Sequence, residues 1–595
     1  MEVKKMRKSI TIITIIALLL CINISSSLAN VVETMDTDAS IKNTLNERIE
    51  DIVNQGKAKG AITSLVIDGE AVGVKGYGYA DQLENMKADG YTTGFRIGSV
   101  SKTFVAVAAL IAMEEGVLDI HKDISAYLED DFPKLKYPVT MHNLLTHTAG
   151  FEETISGMVV ENVSDTEPLS LAVKKYIPEQ ILNPGDLASY SNYGIGLAAY
   201  VIERATGMDF ADYCREKIFL PLGMKRTTFL HMQDTVYVSK AYLPNGEETM
   251  DVFINLYPEG SAVSTAEDMS KYIQWLLKDE EDILRRENKA KLFERQHYMA
   301  DELGGIGYVW NRKSRNGSEY FEKKGETLHF YSRILLYPEK KAGLFLSFNT
   351  YVPEEEINRT TAIMTDQLLG EKVKPIQEAG ANIEIEGLYV NAWSSFRTEE
   401  KLLRFLYPGK TMKISGSVSK GFTINSERIT HLGNNAYDTP IGTVKFFEKG
   451  GKTIMATDFS QSYIRVNTLE NKLVILTITL LFALSTITFI VISIIGALRK
   501  KLRFTMFTLM SIVQMVSLVA LVWMILIGIM EYNLLAYKFY IHLGAWVITV
   551  TALVNFTFTI IKDFSNTKGL LKYAYYHNVV SFAFCLVLVY LNLLI

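Results

Sequence analysis

The stretch "FRIGSVSKTFVAVAALIAMEEG" at 95–116 decides how this chain folds, and five of its residues, GSVSK at 98–102, recur at 416–420 inside "MKISGSVSKGFTINSERI". Both copies carry Ser-x-x-Lys, a spacing that places a hydroxyl and an amine one helical turn apart. The flanks separate them. After the first copy, Thr103 to Met113 runs without Gly or Pro until Gly116. It is apolar on nearly every side, which predicts a buried helix with Gly116 as its stop. Ser99 then sits at the helix N-terminus, where free N–H groups and the dipole favour negative charge. Lys102 shares its face, and burial is expected to depress the lysine pKa towards a neutral, proton-accepting amine. The second copy is followed by Gly421 and reads as strand, turn, strand; Ser417 and Lys420 are assigned no chemistry.

The chain has 595 residues, too many for one ordinary core, and a formal net charge of −5, so no basic excess points to nucleic acid. Its mean hydropathy is positive although 21% of residues are charged, so apolar residues must be concentrated somewhere. They lie at the two ends. The N-terminus has a basic start (Lys4, Lys5, Arg7, Lys8), an apolar run and the small residues Ser27-Leu28-Ala29, the pattern of an export signal cut after Ala29. The C-terminus has four apolar stretches, at 473–498, 506–530, 541–561 and 578–595, each long enough to cross a bilayer core of ~30 Å. Arg499, Lys500, Lys501 and Arg503 mark the first loop as cytoplasmic, and Lys562, Lys568 and Lys572 mark the third. Everything before 473 is thereby expected outside, in agreement with the signal. Three cysteines (Cys21, Cys214, Cys585) draw no disulfide framework.

Between the ends, 30–372 mixes helical and strand patterns and gives way to the Pro/Gly-punctuated linker "LLGEKVKPIQEAGANIE". From there to 470, short alternating runs such as "GTVKFFE" and the turn "KGGK" at 449–452 predict a small β domain of hairpins. Domain bounds of 1–29, 30–372, 373–470 and 471–595 follow.

Further elements appear in order: "VTMHNLLTHTAGF" (139–151), Tyr190-Ser191-Asn192 and "PLGM" at 221–224. With Ser99-x-x-Lys102 they resemble the β-lactamase and penicillin-binding protein superfamily, in the branch of class C β-lactamases and D-amino-acid-specific peptidases and esterases. The resemblance covers about 45–370. It implies an α+β fold, an antiparallel sheet flanked by helices plus a helical subdomain, followed here by the small β domain and a four-helix transmembrane region. It implies Ser99 as nucleophile, Lys102 as its base and Tyr190 as second base, its pKa lowered by Lys102 and Lys323. Asn192 is implied to bond the substrate amide and Lys102.

The third family element falls at Lys323-Lys324-Gly325 in "YFEKKGETLHFYSRILLYPEKKAGLFLSFN". Lys323 is implied to bring positive charge to the cleft, and Gly325 to let the substrate backbone approach. Backbone N–H groups of Ser99 and Glu326 are the implied oxyanion hole. Relatives usually carry small residues and Gly after this box, whereas this chain has Glu326 and His329. An acid at 326 suggests selection for a cationic substrate group, or pairing with Lys323 or Lys324. Ser264-x-x-Glu267 reads as a capping box, and His147 as a packed residue. No cofactor and no metal-ligand cluster is expected.

The combination predicts a multi-pass cell-membrane serine hydrolase, its catalytic unit outside, working through an acyl-enzyme. Its expected partners are the bilayer and a peptide or β-lactam-like small molecule, most simply a peptide containing D-amino acids. A penicillin-binding DD-carboxypeptidase or a β-lactamase is the near alternative. A sensor signalling through the helices is the alternative of another class.

Overall fold

The structure, a computed structural model, describes residues 38–594 apart from 230–235, 250–251, 316, 372–382, 407–409, 418, 458–460, 468–471, 500–505, 531–533 and 562–567. The signal sequence expected at 1–29 and most of the linker at 368–384 lie outside the described residues.

A seven-stranded antiparallel sheet organises residues 38–371. Its strands are β1 (Gly60–Ile67), β2 (Glu70–Asp81), β3 (Met86–Lys87), β4 (Asn311–Arg315), β5 (Ser318–Glu326), β6 (Tyr331–Tyr337) and β7 (Ala342–Phe348), in the order β3-β2-β1-β7-β6-β5-β4. Successive side chains of a strand point to opposite faces, and both faces are apolar here because helices cover both. Ala61, Leu65, Leu344 and Leu346 meet α1 (38–54) and α5 (Glu354–Leu369), while Ile62, Val66, Ile334 and Phe345 belong to a larger core with α2 (Lys102–Glu114), α3 (Asn192–Thr206) and α4 (Ala266–Leu277).

Helix α2 is buried from Lys102 to Ala112, which explains its unbroken run of Ala, Val, Leu and Ile. A 3₁₀ turn at Gly98–Ser101 precedes it, so Ser99 stands one residue layer before the helix proper, and Gly116 (φ +75°) follows its end. The capping box expected at Ser264 is displaced by one residue. Thr265 is the N-cap of α4 and accepts from Asp268 N (3.1 Å), whereas Ser264 lies within hydrogen-bond distance of Thr227 Oγ1 (2.8 Å).

Strands β8 (Gly387–Asn391), β9 (Thr411–Ser417), β10 (Gly421–Ile424), β11 (Glu427–Gly433), β12 (Ala436–Thr439), β13 (Gly442–Lys449), β14 (Lys452–Thr457) and β15 (Ser462–Val466) close into a barrel, β15 pairing with β8. Closure removes the open edges that separate hairpins would leave. Tyr389, Tyr437, Phe446 and Met455 fill its interior. Gly450 and Gly451, both at positive φ, turn the Lys449–Lys452 hairpin.

Four described helices are long and apolar enough to cross a membrane: α6 (Lys472–Leu498), α7 (Met506–Met530), α8 (Leu534–Ile561) and α9 (Lys568–Tyr590). The last two begin earlier than 541 and 578, because polar Tyr537, Lys538, Tyr575 and Tyr576 continue the helical backbone past the apolar run that hydropathy detects. Their interior is partly polar: His577 lies 3.0 Å from Gln514 Oε1 and 3.2 Å from Ser485 Oγ.

Candidate active site

Ser191 is the N-cap of α3 and accepts from Gly194 N (2.9 Å). This cap fixes Tyr190 and Asn192 on either side of the helix start, facing the 98–101 turn. Lys102 Nζ donates to Ser99 Oγ at 2.9 Å and Tyr190 OH donates to the same oxygen at 2.8 Å. Ser101 ties the neighbouring 257–262 loop to this turn, donating to Gly98 O (2.6 Å) and accepting from Ala262 N (3.1 Å).

That loop supplies a residue the sequence reading missed. Glu259 closes a short 3₁₀ turn, Tyr257–Glu259, and its carboxylate and its backbone carbonyl each accept from Lys102 Nζ at 2.6 Å. The expected neutral lysine is therefore corrected. Burial alone would lower the Lys102 pKa, but the Glu259 carboxylate and then Tyr190 outweigh it, and the net direction is upward. Tyr190 moves up as well: burial raises it most, Lys102 opposes and Glu259 adds. Lys323 does not lower it.

Phe321, Lys323 and Gly325 alternate along β5 onto the face turned towards α2. The Lys323 Nζ lies 5.1 Å from the Tyr190 ring centroid. Burial, then the Lys102 cation, push its pKa well below the ordinary lysine value, against the pull of Glu259, so the positive charge expected of Lys323 is disfavoured here. Gly325 also serves otherwise than expected. A Cβ there would stand 2.0 Å from Ile97 O and 2.9 Å from Val100 N, so the space belongs to the turn bearing Ser99 and not to a substrate. Gly98 (φ +52°) reciprocates, its Cβ position 2.6 Å from Glu326 N.

Asn192 does not reach Lys102, whose donors are taken. Its Nδ2 donates to Glu153 Oε1 at 2.8 Å and its Oδ1 is buried without a partner. Glu326 lies on the opposite strand face from Gly325 with its side chain exposed at one end; partial desolvation of the carboxyl, then Glu354, raise its pKa against the pull of Lys324 and Arg333. It does not pair with either lysine of the box, since Lys324 binds Glu354 at 2.6 Å. His147 is buried with its ring 4.4 Å from that of Tyr190, and burial followed by Lys323 and Lys102 keep it neutral.

The barrel completes the cleft. A cavity of about 410 Å³ is lined by Ser99, Tyr190, Asn192, Glu259, Lys323 and Glu326 together with Trp393 and Gln461. Gln461 makes a β-bridge to Ser189, and the Trp393 ring stands edge-on to Tyr190 at 5.7 Å. Glu152 and Glu400 clamp the chain crossing between the two units: Glu152 accepts from Phe396 N and Arg397 N, Glu400 from Ile155 N and Ser156 N. Sequence carried no signal for this lid, whereas Glu259 had a weak one, an acid between Pro258 and Gly260 in a cleft-flanking segment.

The second GSVSK copy sits in the β9–β10 hairpin with Ser419 and Lys420 exposed, remote from these groups. No cluster of three or more His, Cys, Asp or Glu able to hold a metal occurs among the described residues.

The Beta-lactamase family model matches residues 45–367. This chain belongs to the Beta-lactamase family. Among the relatives of this Beta-lactamase family member, PbpX of Bacillus subtilis (strain 168) is 30% identical over 251 residues, 41% of this chain and 60% of that one. The D-alanyl-D-alanine-carboxypeptidase/endopeptidase AmpH of Escherichia coli (strain K12) is 23% identical over 330 residues, 52% of this chain and 84% of its own. The chain thus spans less than two thirds of the length of PbpX. Among solved structures, SurE is similar with a TM-score of 0.52 and 18% identity, covering 72% of this chain and 100% of SurE. The likeness is one of fold.

Proposed function

We propose that this chain is a membrane-anchored serine hydrolase, its catalytic unit outside the cell, that cleaves amide or ester bonds beside D-amino acids through an acyl-enzyme. The observation that carries this reading is Ser99 Oγ, held 2.9 Å from Lys102 Nζ and 2.8 Å from Tyr190 OH in a cleft of about 410 Å³. Ser99 Oγ bonds to the substrate carbonyl carbon, its proton passes through the Tyr190 oxygen to the leaving nitrogen or oxygen, and the C–N or C–O bond breaks. Water then adds to the acyl carbon, the bond from that carbon to Ser99 Oγ breaks to release the acid, and a proton from the water passes to Ser99 Oγ. Lys102, held as a cation, stabilises the negative charge that the Tyr190 and Ser99 oxygens share on the way. The N–H groups of Ser99 and Glu326 serve as oxyanion donors in this reading.

D-residue substrates are supported by the activity in the name of AmpH and by a SurE crystal structure containing D-Leu. Exterior placement is supported by the N-terminal signal pattern and by the basic first and third loops. Penicillin-binding carboxypeptidase and β-lactamase activities use the same acyl-enzyme, and they separate by whether a β-lactam stays on Ser99 or is turned over.

The test is a fluorophosphonate probe on the detergent-solubilised full chain, with the labelled peptide mapped by mass spectrometry in wild type, Ser99→Ala and Ser417→Ala. Label at Ser99, lost only in Ser99→Ala, followed by faster cleavage of D- than of L-residue peptides, is the expected result. No label in folded protein removes the reading.

One observation favours a second reading, a ligand sensor. The segment that carries Trp393 into the cleft also carries Lys401 and Arg404, which bond Tyr590 O (2.7 Å) and Tyr590 OH (2.6 Å) at the end of α9. Acylation of Ser99 without turnover, accompanied by altered protection of α9 from hydrogen exchange, would support it.

A further inference from the structure

We infer that Glu259 is a positioning residue of the Ser99 group: it holds Lys102 against the nucleophile as an ammonium and thereby sets the alkaline limit of the reaction. This rests on the serine-hydrolase reading above and adds to it a residue outside the three family elements.

The geometry carries the inference. An ammonium has three N–H donors, and three acceptors surround Lys102 Nζ: Glu259 O and Glu259 Oε2, each at 2.6 Å, and Ser99 Oγ at 2.9 Å. The lysine side chain is 0% exposed and that of Glu259 6% exposed, so water screens neither charge. Glu259 is not free to swing away. Its turn, Tyr257–Glu259, contains Pro258, and three residues beyond Glu259 Ala262 exchanges bonds with both ends of the nucleophile turn, Ile97 N to Ala262 O (3.0 Å) and Ala262 N to Ser101 Oγ (3.1 Å).

The other ionisable groups around Lys102 do not replace it. Tyr190 lies ahead of α3, Lys323 on β5 is a second base, and His147 behind the Tyr190 ring is neutral. Glu153, beyond Asn192, shares its surroundings with Lys410 from the barrel. Glu259 is the carboxylate paired with Lys102 among the described residues. A buried lysine stripped of its only counter-charge sheds its proton. Nζ would then keep two N–H groups for three acceptors, and the charge that balances the Tyr190 oxygen would vanish.

The experiment measures the rate of fluorophosphonate labelling at Ser99 from about pH 6 to about pH 12 for wild type, Glu259→Gln and Glu259→Asp, in full-length protein whose folding is checked at each pH by thermal unfolding. In Glu259→Gln the alkaline limb is expected to move down by about one pH unit or more, the direction that loss of the counter-charge requires. Glu259→Asp, whose shorter side chain retracts the charge from Nζ, is expected to move it less, and it stands as the readout should Glu259→Gln fail to fold. A lower rate with the alkaline limb at its wild-type position would mean mere packing and overturn the inference. Wild type that is not labelled at Ser99 would instead overturn the hydrolase reading, so the two failures are distinct.

Discussion

Asn192 donates its side-chain amide to Glu153 at 2.8 Å and makes no bond to Lys102. Glu153 is pushed up to about 7, by burial first, with Lys410 pulling the other way. Lys410, driven down to about 8 by burial, has its Nζ 3.0 Å from the centroid of Trp393. An acid beneath the helix start and a base from the barrel therefore meet at the wall of a neighbouring groove, which shares Asn192 and Trp393 with the cleft.

A carboxyl whose folded pKa is raised contributes stability that is present below its unfolded value, 4.5 here, and is lost as pH rises through about 7. Glu153→Gln removes that dependence. The Tm of the variant minus that of wild type is expected to be more positive at about pH 8 than at about pH 5, read by thermal unfolding in detergent. A difference that does not change with pH would refute the assignment.

Burial, then the Lys102 cation, push the pKa of the buried Lys323 well below the ordinary lysine value, so its amine can release its proton. Arg cannot do so. Lys323→Arg is expected to lower stability by more than about 2 kcal/mol relative to Lys323→Met, the cost of an unpaired buried charge. Equal unfolding midpoints for the two variants would show that the lysine is charged in the native protein.

Gly325 and Gly98 interlock strand β5 with the nucleophile turn. Gly325→Ala inserts a methyl 2.0 Å from Ile97 O, so the turn must shift. A loss of about 1–3 kcal/mol is expected, with a fall of about tenfold or more in the rate of Ser99 labelling, since displacement of a nucleophile by about 1 Å is already costly. Wild-type labelling in Gly325→Ala would show that the close approach is not needed.

Glu326 is exposed in the cleft and borders a second groove of about 920 Å³ that runs between the sheet edge and the barrel. Substrates with a cationic side chain are expected to exceed neutral analogues in kcat/KM, and Glu326→Gln should reduce that preference by about twofold to fivefold, the size of one exposed charge pair. An unchanged preference sinks the assignment.

Much of this protein follows from local sequence. Ser99 and Lys102 lie three residues apart at the start of an apolar helix, and helical geometry alone brings their side chains together. Ser191, with its short polar side chain, caps α3 and so fixes Tyr190 and Asn192. The four C-terminal helices are legible because a bilayer-length apolar run has few other uses, although their ends are not, since Tyr537 and Tyr575 extend the helices past the apolar runs. The protonation states were not legible. Burial and spacing predicted a neutral Lys102, and the family resemblance implied a charged Lys323; the fold shifts both pKa values the other way, by placing Glu259, 157 residues away, against the first, while burial and Lys102 outweigh the pull of Glu259 on the second. The same holds for Trp393 and Gln461, which reach the cleft only because the barrel closes and docks over Tyr190. Hydrogen-bonding pattern and hydrophobic period act over a few residues and are written in order along the chain. The pKa of a buried group depends on which charges packing brings within a few ångströms, and only the tertiary structure decides that.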